Sequence, residues 1–202
     1  MRALGLVALV LVAAGCGGSA AGVEHPATTR SARLAGAELR PPRAAPPLAL
    51  RDEDGRPYSL RARRGQWTLV TFLYTHCPDV CPLIASNLNT ALRTLGAKAD
   101  VGVLAVSVDP VGDTPAAVRA YRRRMHLVSR FHYLIGTRAQ LLPVWRAWHV
   151  LAVLRKPDVV DHVAYTALVD PSGKERVVYD ARVQAQQIVH DFRLLLREKS
   201  AA

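Results

Sequence analysis

The chain has 202 residues, half of them hydrophobic, which is enough for one sizeable core with appendages. Lys and Arg outnumber Asp and Glu by 27 to 16, yet the basic residues are scattered, with their densest groups at residues 61–64 and 122–124. They are neither interleaved with aromatics nor set on a nucleic-acid-binding motif, so no nucleic acid is expected as partner. The net charge of +11 reads instead as a solvated basic face, attractive to anionic lipid and acidic protein surfaces.

The N-terminus addresses the compartment. Arg2 precedes an apolar stretch over residues 3–14, too short to span a bilayer and therefore read as the core of an export signal. Ala13-Ala14-Gly15-Cys16 resembles a bacterial lipobox, in which Cys16 becomes the lipidated first residue of the mature protein. The alternative is an ordinary secretory signal cleaved nearby, and either one exports the domain. The expected organisation is a signal over residues 1–15, a flexible Ala/Gly/Pro-rich membrane tether over 16–46, and a folded domain over 47–199. About thirty residues of such tether reach roughly 30 Å. The implied location is the outer face of the bacterial cytoplasmic membrane, held by lipid.

Within the domain, residues 48–50 and 58–60 flank a turn signal at Asp52-Glu53-Asp54-Gly55 and predict a hairpin. Residues 67–74 form a continuous apolar and β-branched run, a central strand. Leu83, Ile84, Leu88, Leu92 and Leu95 recur at helical spacing, and the helix stops at Gly96. Residues 101–108 are the most strand-like stretch of all. A helix then starts at Pro115, capped by Asp113 or Thr114, and runs to about His126. A strand over 131–135, a helix over 137–150, a strand over 164–169, a turn at Pro171-Ser172-Gly173, a partner strand over 176–179 and a helix over 184–197 complete the chain. This order predicts an α/β fold, a central mixed sheet flanked by helices with an N-terminal hairpin extension. A thiol pair after the first central strand and a hairpin-helix finish make the layout thioredoxin-like.

That thiol pair lies in Tyr74-Thr75-His76-Cys77-Pro78-Asp79-Val80-Cys81-Pro82. With Cys16 assigned to lipid, Cys77 and Cys81 are the remaining cysteines, so the domain has no disulfide framework and the pair reads as functional. Pro82 belongs in the first turn of the following helix, with the cysteines in a loop or turn before it. Both sulfurs then lie near a helix N-terminus, which favours thiolate. Three residues separate them, against two in a redox thioredoxin. The wider loop can hold the sulfurs around a metal and still let them close to a disulfide. Two thiolates select Cu(I), with Zn(II) as competitor, and an imidazole would complete a site for Cu(I) or Cu(II). Of the seven histidines, His25 lies in the tether, and His126, His132, His149 and His190 read as ordinary surface or core positions. His76 is expected to point away from Cys77. His162 precedes the strand over 164–169, a segment that faces the cysteine loop in a thioredoxin-like fold.

Three separated motifs then carry a resemblance. Cys77-Pro78-Asp79-Val80-Cys81-Pro82, Ser107-Val108-Asp109-Pro110 followed by Asp113-Thr114-Pro115, and Val160-Asp161-His162 before Asp170-Pro171-Ser172-Gly173 resemble the Sco/SenC family over essentially the whole folded domain. The resemblance implies a thioredoxin-like fold, a copper site of Cys77, Cys81 and His162, and a role in maturing the copper A centre of cytochrome c oxidase. Asp109 matches a family aspartate near that site, where a hard carboxylate suits capping or hydrogen bonding better than holding Cu(I). The implied partners are the oxidase subunit carrying copper A, an upstream copper donor, and the membrane. A metallochaperone is the leading reading. A thiol-disulfide oxidoreductase keeping the copper A cysteines reduced, with Cys77 and Cys81 as its redox pair, is the alternative. A peroxiredoxin is disfavoured because Tyr74 and Val70 stand where its threonine and proline belong. Structural zinc remains open, and a Cys-His hydrolase leaves the second cysteine unexplained.

Overall fold

The computed structural model describes residues 33–150, 153–156, 159–161 and 164–201, all within one folded unit. Its centre is two strands made entirely of buried residues, β4 (Trp67–Leu73) and β5 (Val101–Ser107). They run parallel in unbroken register from Trp67 opposite Val101 to Leu73 opposite Ser107. Parallel neighbours need a crossover, which α1 (Val80–Leu95) provides, and continuous burial requires cover on both faces of the sheet. β6 (Phe131–Ile135) extends the parallel set beyond β5, reached through α2 (Pro115–Arg124). Thr114 caps α2 by accepting the Ala117 N–H. α3 (Arg138–Ala147) follows, capped by the reciprocal Thr137–Gln140 pair.

The hairpin expected near the start is present as β2 (Ala49–Asp52) and β3 (Pro57–Ser59), docked on β6. On the other side β9 (Tyr165–Val169) lies antiparallel to β4, followed by β10 (Lys174–Asp180). α4 (Ala185–Ala201) then returns to pack beside α1. With β1 (Ala37–Ala44) at one edge, the full order is β1-β10-β9-β4-β5-β6-β2-β3. None of the described helices is long and apolar enough to cross a membrane.

Two elements depart from expectation. β1 (Ala37–Ala44) is a strand where composition suggested continued tether. Its eight residues include Pro41 and Pro42 and bury none fully, so no hydrophobic period announces it. Prolines are admitted because β1 is an edge strand paired only with β10, across a shift in register between Glu38 and Arg43. The fold holds the chain even earlier: buried Asp191 of α4 accepts the N–H groups of Ala35 at 2.7 Å and Gly36 at 2.9 Å. Gly36 lies so close to Val177 and Tyr179 that a Cβ would sit 2.4 Å from the Val177 side chain. Folded structure therefore starts ahead of Pro47. The second unannounced element is a separate hairpin, β7 (Val153–Lys156) with β8 (Val159–Asp161).

Candidate metal centre

The cysteines sit where β4 runs out. Past Leu73 the chain remains buried through Tyr74 and Thr75, then turns, with the Cys77 N–H donating to the Tyr74 carbonyl at 3.3 Å. The turn is fastened by Asp113. One carboxylate oxygen accepts the Thr75 N–H at 2.8 Å; the other accepts the Ser107 hydroxyl at 2.6 Å and the Tyr133 hydroxyl at 3.1 Å. One buried carboxylate thus ties the ends of β4 and β5 to β6, although burial itself pushes its pKa up. Thr114, not Asp113, caps α2. Asp109 does parallel work one turn away, accepting the N–H groups of Val111 at 3.1 Å and Gly112 at 2.9 Å. A Cβ at Gly112 would lie 2.2 Å from Asp109 Oδ2 and 3.2 Å from His76 Nδ1, so a side chain here would displace the Asp109 carboxylate.

α1 starts at Val80, so Cys81 and Pro82 both fall in its first turn, as Pro82 requires. Asp79, at the cap position, makes no side-chain capping bond. Cys77 Sγ takes over that role, accepting the Cys81 N–H at 3.4 Å. The two thiols are polarised in opposite senses. The Cys81 thiol donates to Cys77, and with help from the backbone N–H groups of Asp79 and Cys81 it lowers Cys77 from an ordinary 9.0 to about 6, against the opposing effect of burial. Cys81 is pushed far up, by that same hydrogen bond and by burial. At neutral pH the pair is a thiolate at Cys77 and a thiol at Cys81. Cys77 is 9% exposed and Cys81 fully buried, and the two are not joined in a disulfide. Cys77 is therefore the sulfur an incoming ion or thiol meets first. Beneath them the Tyr121 hydroxyl donates to the Cys81 carbonyl at 3.4 Å. The Arg124 guanidinium lies 5.2 Å from the Tyr121 ring centroid and bonds the Thr75 carbonyl at 3.4 Å.

The described histidines are largely accounted for by structure. His126 and His149 stand just past α2 and α3 with positive φ, His132 lies against the Tyr58 ring with its pKa lowered to about 4, chiefly by burial, and His190 bonds Asp191. His76 is exposed and bonds the Thr75 hydroxyl at 3.1 Å. Its ring, Asp109 and Asp113 bring ligand atoms within 4.8 Å of one another, a juxtaposition that sequence reasoning missed. Asp113 is already committed through both oxygens and Asp109 through one, so the group reads as the fastening of the loop. The shared interval of four residues from Asp109 to Asp113 was the available signal. His162 and Cys16 lie outside the described residues. The described flank of His162 is β9, whose Thr166 is paired with Thr71 at the end of β4 that leads to the cysteines.

Fold and site together define a thioredoxin-like α/β domain with a thiolate–thiol pair at the strand-to-helix junction. The SCO1/SenC family model matches residues 37–197. The chain belongs to that family. It is 32% identical over 154 residues to the mitochondrial SCO2 homolog of Mus musculus, a match covering 72% of this chain and 60% of that relative's length. Among solved structures, Bradyrhizobium japonicum ScoI with copper bound is 29% identical with a TM-score of 0.65, covering 74% of this chain and 98% of that one. Apo Sco1 from Thermus thermophilus is 29% identical with a TM-score of 0.70, covering 81% and 97%.

Proposed function

We propose that this protein is a copper chaperone that binds one copper ion through Cys77, Cys81 and His162 and delivers it to the copper A site of a cytochrome c oxidase. The observation that carries the reading is the pair of sulfurs at the head of α1, one already ionised at neutral pH and within reach of solvent. Two such donors form the soft set that Cu(I) prefers. The copper-bound Bradyrhizobium structure supports the choice of metal. His162 is supported by the pairing that sets the start of β9 beside the end of β4. Asp109 and Asp113 shape the loop without bonding the ion, Asp113 spending both carboxylate oxygens and Asp109 one on backbone or hydroxyl donors. Domain boundaries follow the same reading: a signal over 1–15, lipid on Cys16, a tether, and the folded domain exported to the outer face of the membrane.

The test is an anaerobic Cu(I) titration of the reduced full-length chain against a competing chelator, beside Cys77→Ser, Cys81→Ser and His162→Ala. One tight copper per chain, lost with either cysteine, is expected, with His162→Ala weakening Cu(II) most. Full Cu(II) affinity in His162→Ala removes that ligand from the reading. Absent copper binding, with thiols that still reduce a disulfide in an apo copper A domain, would replace delivery by redox maintenance.

A further inference from the structure

If copper leaves this site by ligand exchange, the incoming sulfur must come within a metal–sulfur bond length, about 2.3 Å for a comparable ion. Copper keeps its oxidation state in that step. Each of two recipient thiols gives up its proton as it bonds copper; Cys81 takes one up as its own bond breaks, Cys77 leaves as thiolate, and the second proton passes to solvent. Cys81 is fully buried and Cys77 keeps 9% of its surface exposed, so the receiving protein must cover the surface around Cys77.

That surface is unusual for this chain. Among the described residues three large hydrophobics are exposed, Leu83 at 60%, Val111 at 77% and Leu196 at 40%. Leu83 follows Cys81 by two residues on the first turns of α1. Val111 adjoins Gly112, where a Cβ would lie 3.2 Å from His76 Nδ1. The third, Leu196, is on α4, where its neighbours Leu195 and Glu198 line a pocket with Trp67, the first residue of β4 and hence at the far end of the sheet. On α2, Arg119 pairs with Asp54 and Arg122 with Glu53, whereas exposed Arg123 and Arg124 have no carboxylate partner among the described residues. The Arg124 guanidinium is instead fixed over Tyr121 and against the Thr75 carbonyl, one residue from His76. Asp79, between the cysteines in sequence, is an exposed acidic residue.

We infer that Leu83, Val111 and Arg124 form the docking collar for the copper-receiving domain, which meets it with an apolar rim and a carboxylate placed on Arg124. This rests on the delivery reading above. Apolar contact at the centre excludes water from the exchange, and the separated charges of Arg124 and Asp79 set the register of the partner.

The experiment loads the full-length chain with Cu(I) and follows transfer to an apo copper A domain by stopped flow, with copper affinity measured in parallel by chelator competition. The double variant Leu83→Gln/Val111→Ser should slow second-order transfer roughly tenfold with copper affinity unchanged. Arg124→Gln should slow it several-fold and flatten its dependence on salt, while Arg124→Lys retains most of both. Leu196→Gln should transfer like the parent. Parental rates in the double variant and in Arg124→Gln overturn the collar, as does a loss of copper affinity in either, which would make these residues part of the metal site. A parent chain that binds copper yet passes none to the domain overturns delivery itself.

Discussion

Replacing Cys81 by Ala removes the thiol whose hydrogen bond is the leading reason Cys77 ionises near pH 6. Without it the backbone N–H groups still favour thiolate and burial still opposes it, so the Cys77 midpoint should climb most of the way back toward the ordinary value. At pH 7 a thiol titrating near 6 is about 90% ionised, and one returned most of the way, to about 8.5, is about 3% ionised, a roughly thirty-fold fall in thiolate. Intrinsic nucleophilicity rises with basicity at a slope of about 0.4–0.5, which returns roughly ten-fold of that loss. The alkylation rate at a single pH therefore changes only about two- to three-fold and is a poor readout. The midpoint carries the effect in full. The assay is the iodoacetamide rate of the reduced apo protein across the pH range, checked by thiolate absorbance in the ultraviolet. A Cys81→Ala midpoint still near 6 would refute the reasoning and leave the N-terminus of α1 as the cause.

The same polarisation makes stability depend on pH. Between about 6 and 9 the unfolded chain keeps a proton on Cys77 that the folded chain has lost, so the reduced apo protein should gain stability as pH rises through that window and lose it as pH falls toward 6. Urea midpoints of the parent and of Cys77→Ala, compared at both ends of the window, check the sign. The Arg130 guanidinium donates to the carbonyls of Ala99, Val101, Leu92 and Gly96 at 2.8 to 2.9 Å, lacing the end of α1 to the start of β5. Arg130→Met should cost about 2–4 kcal/mol in urea unfolding, and a cost below about 0.5 kcal/mol would contradict that role. His126 ends α2 at φ 48°, where its carbonyl, not its side chain, receives Asn89 and Arg93. His126→Gly should therefore stabilise by a few tenths to about 1 kcal/mol, readable as a higher Tm.

The elements that local pattern could announce are the ones whose signal is contained in a short window. Residues 67–73 are apolar without a break because β4 is covered on both faces, and that burial shows in composition alone. Pro115 after Thr114 and Gly96 after Leu95 mark helix ends because caps are chemistry between neighbours. β1 escaped notice for the converse reason. Its residues are polar and proline-bearing, and what makes it a strand is β10, well over a hundred residues away. Asp191 pins Ala35 and Gly36 across a similar separation.

At the site the division is sharper. The spacing of Cys77, Cys81 and Pro82 was sufficient to place two sulfurs at a strand-to-helix junction, since proline tolerates few positions in a helix. Their residue types alone named the soft metals they suit. Which sulfur is the thiolate, that Asp113 is the buried fastener of three strands, and that Leu83 and Val111 stay exposed were decided only by tertiary structure. Those properties depend on burial and on hydrogen-bond partners brought in from distant segments, and neither is encoded in the neighbours along the chain.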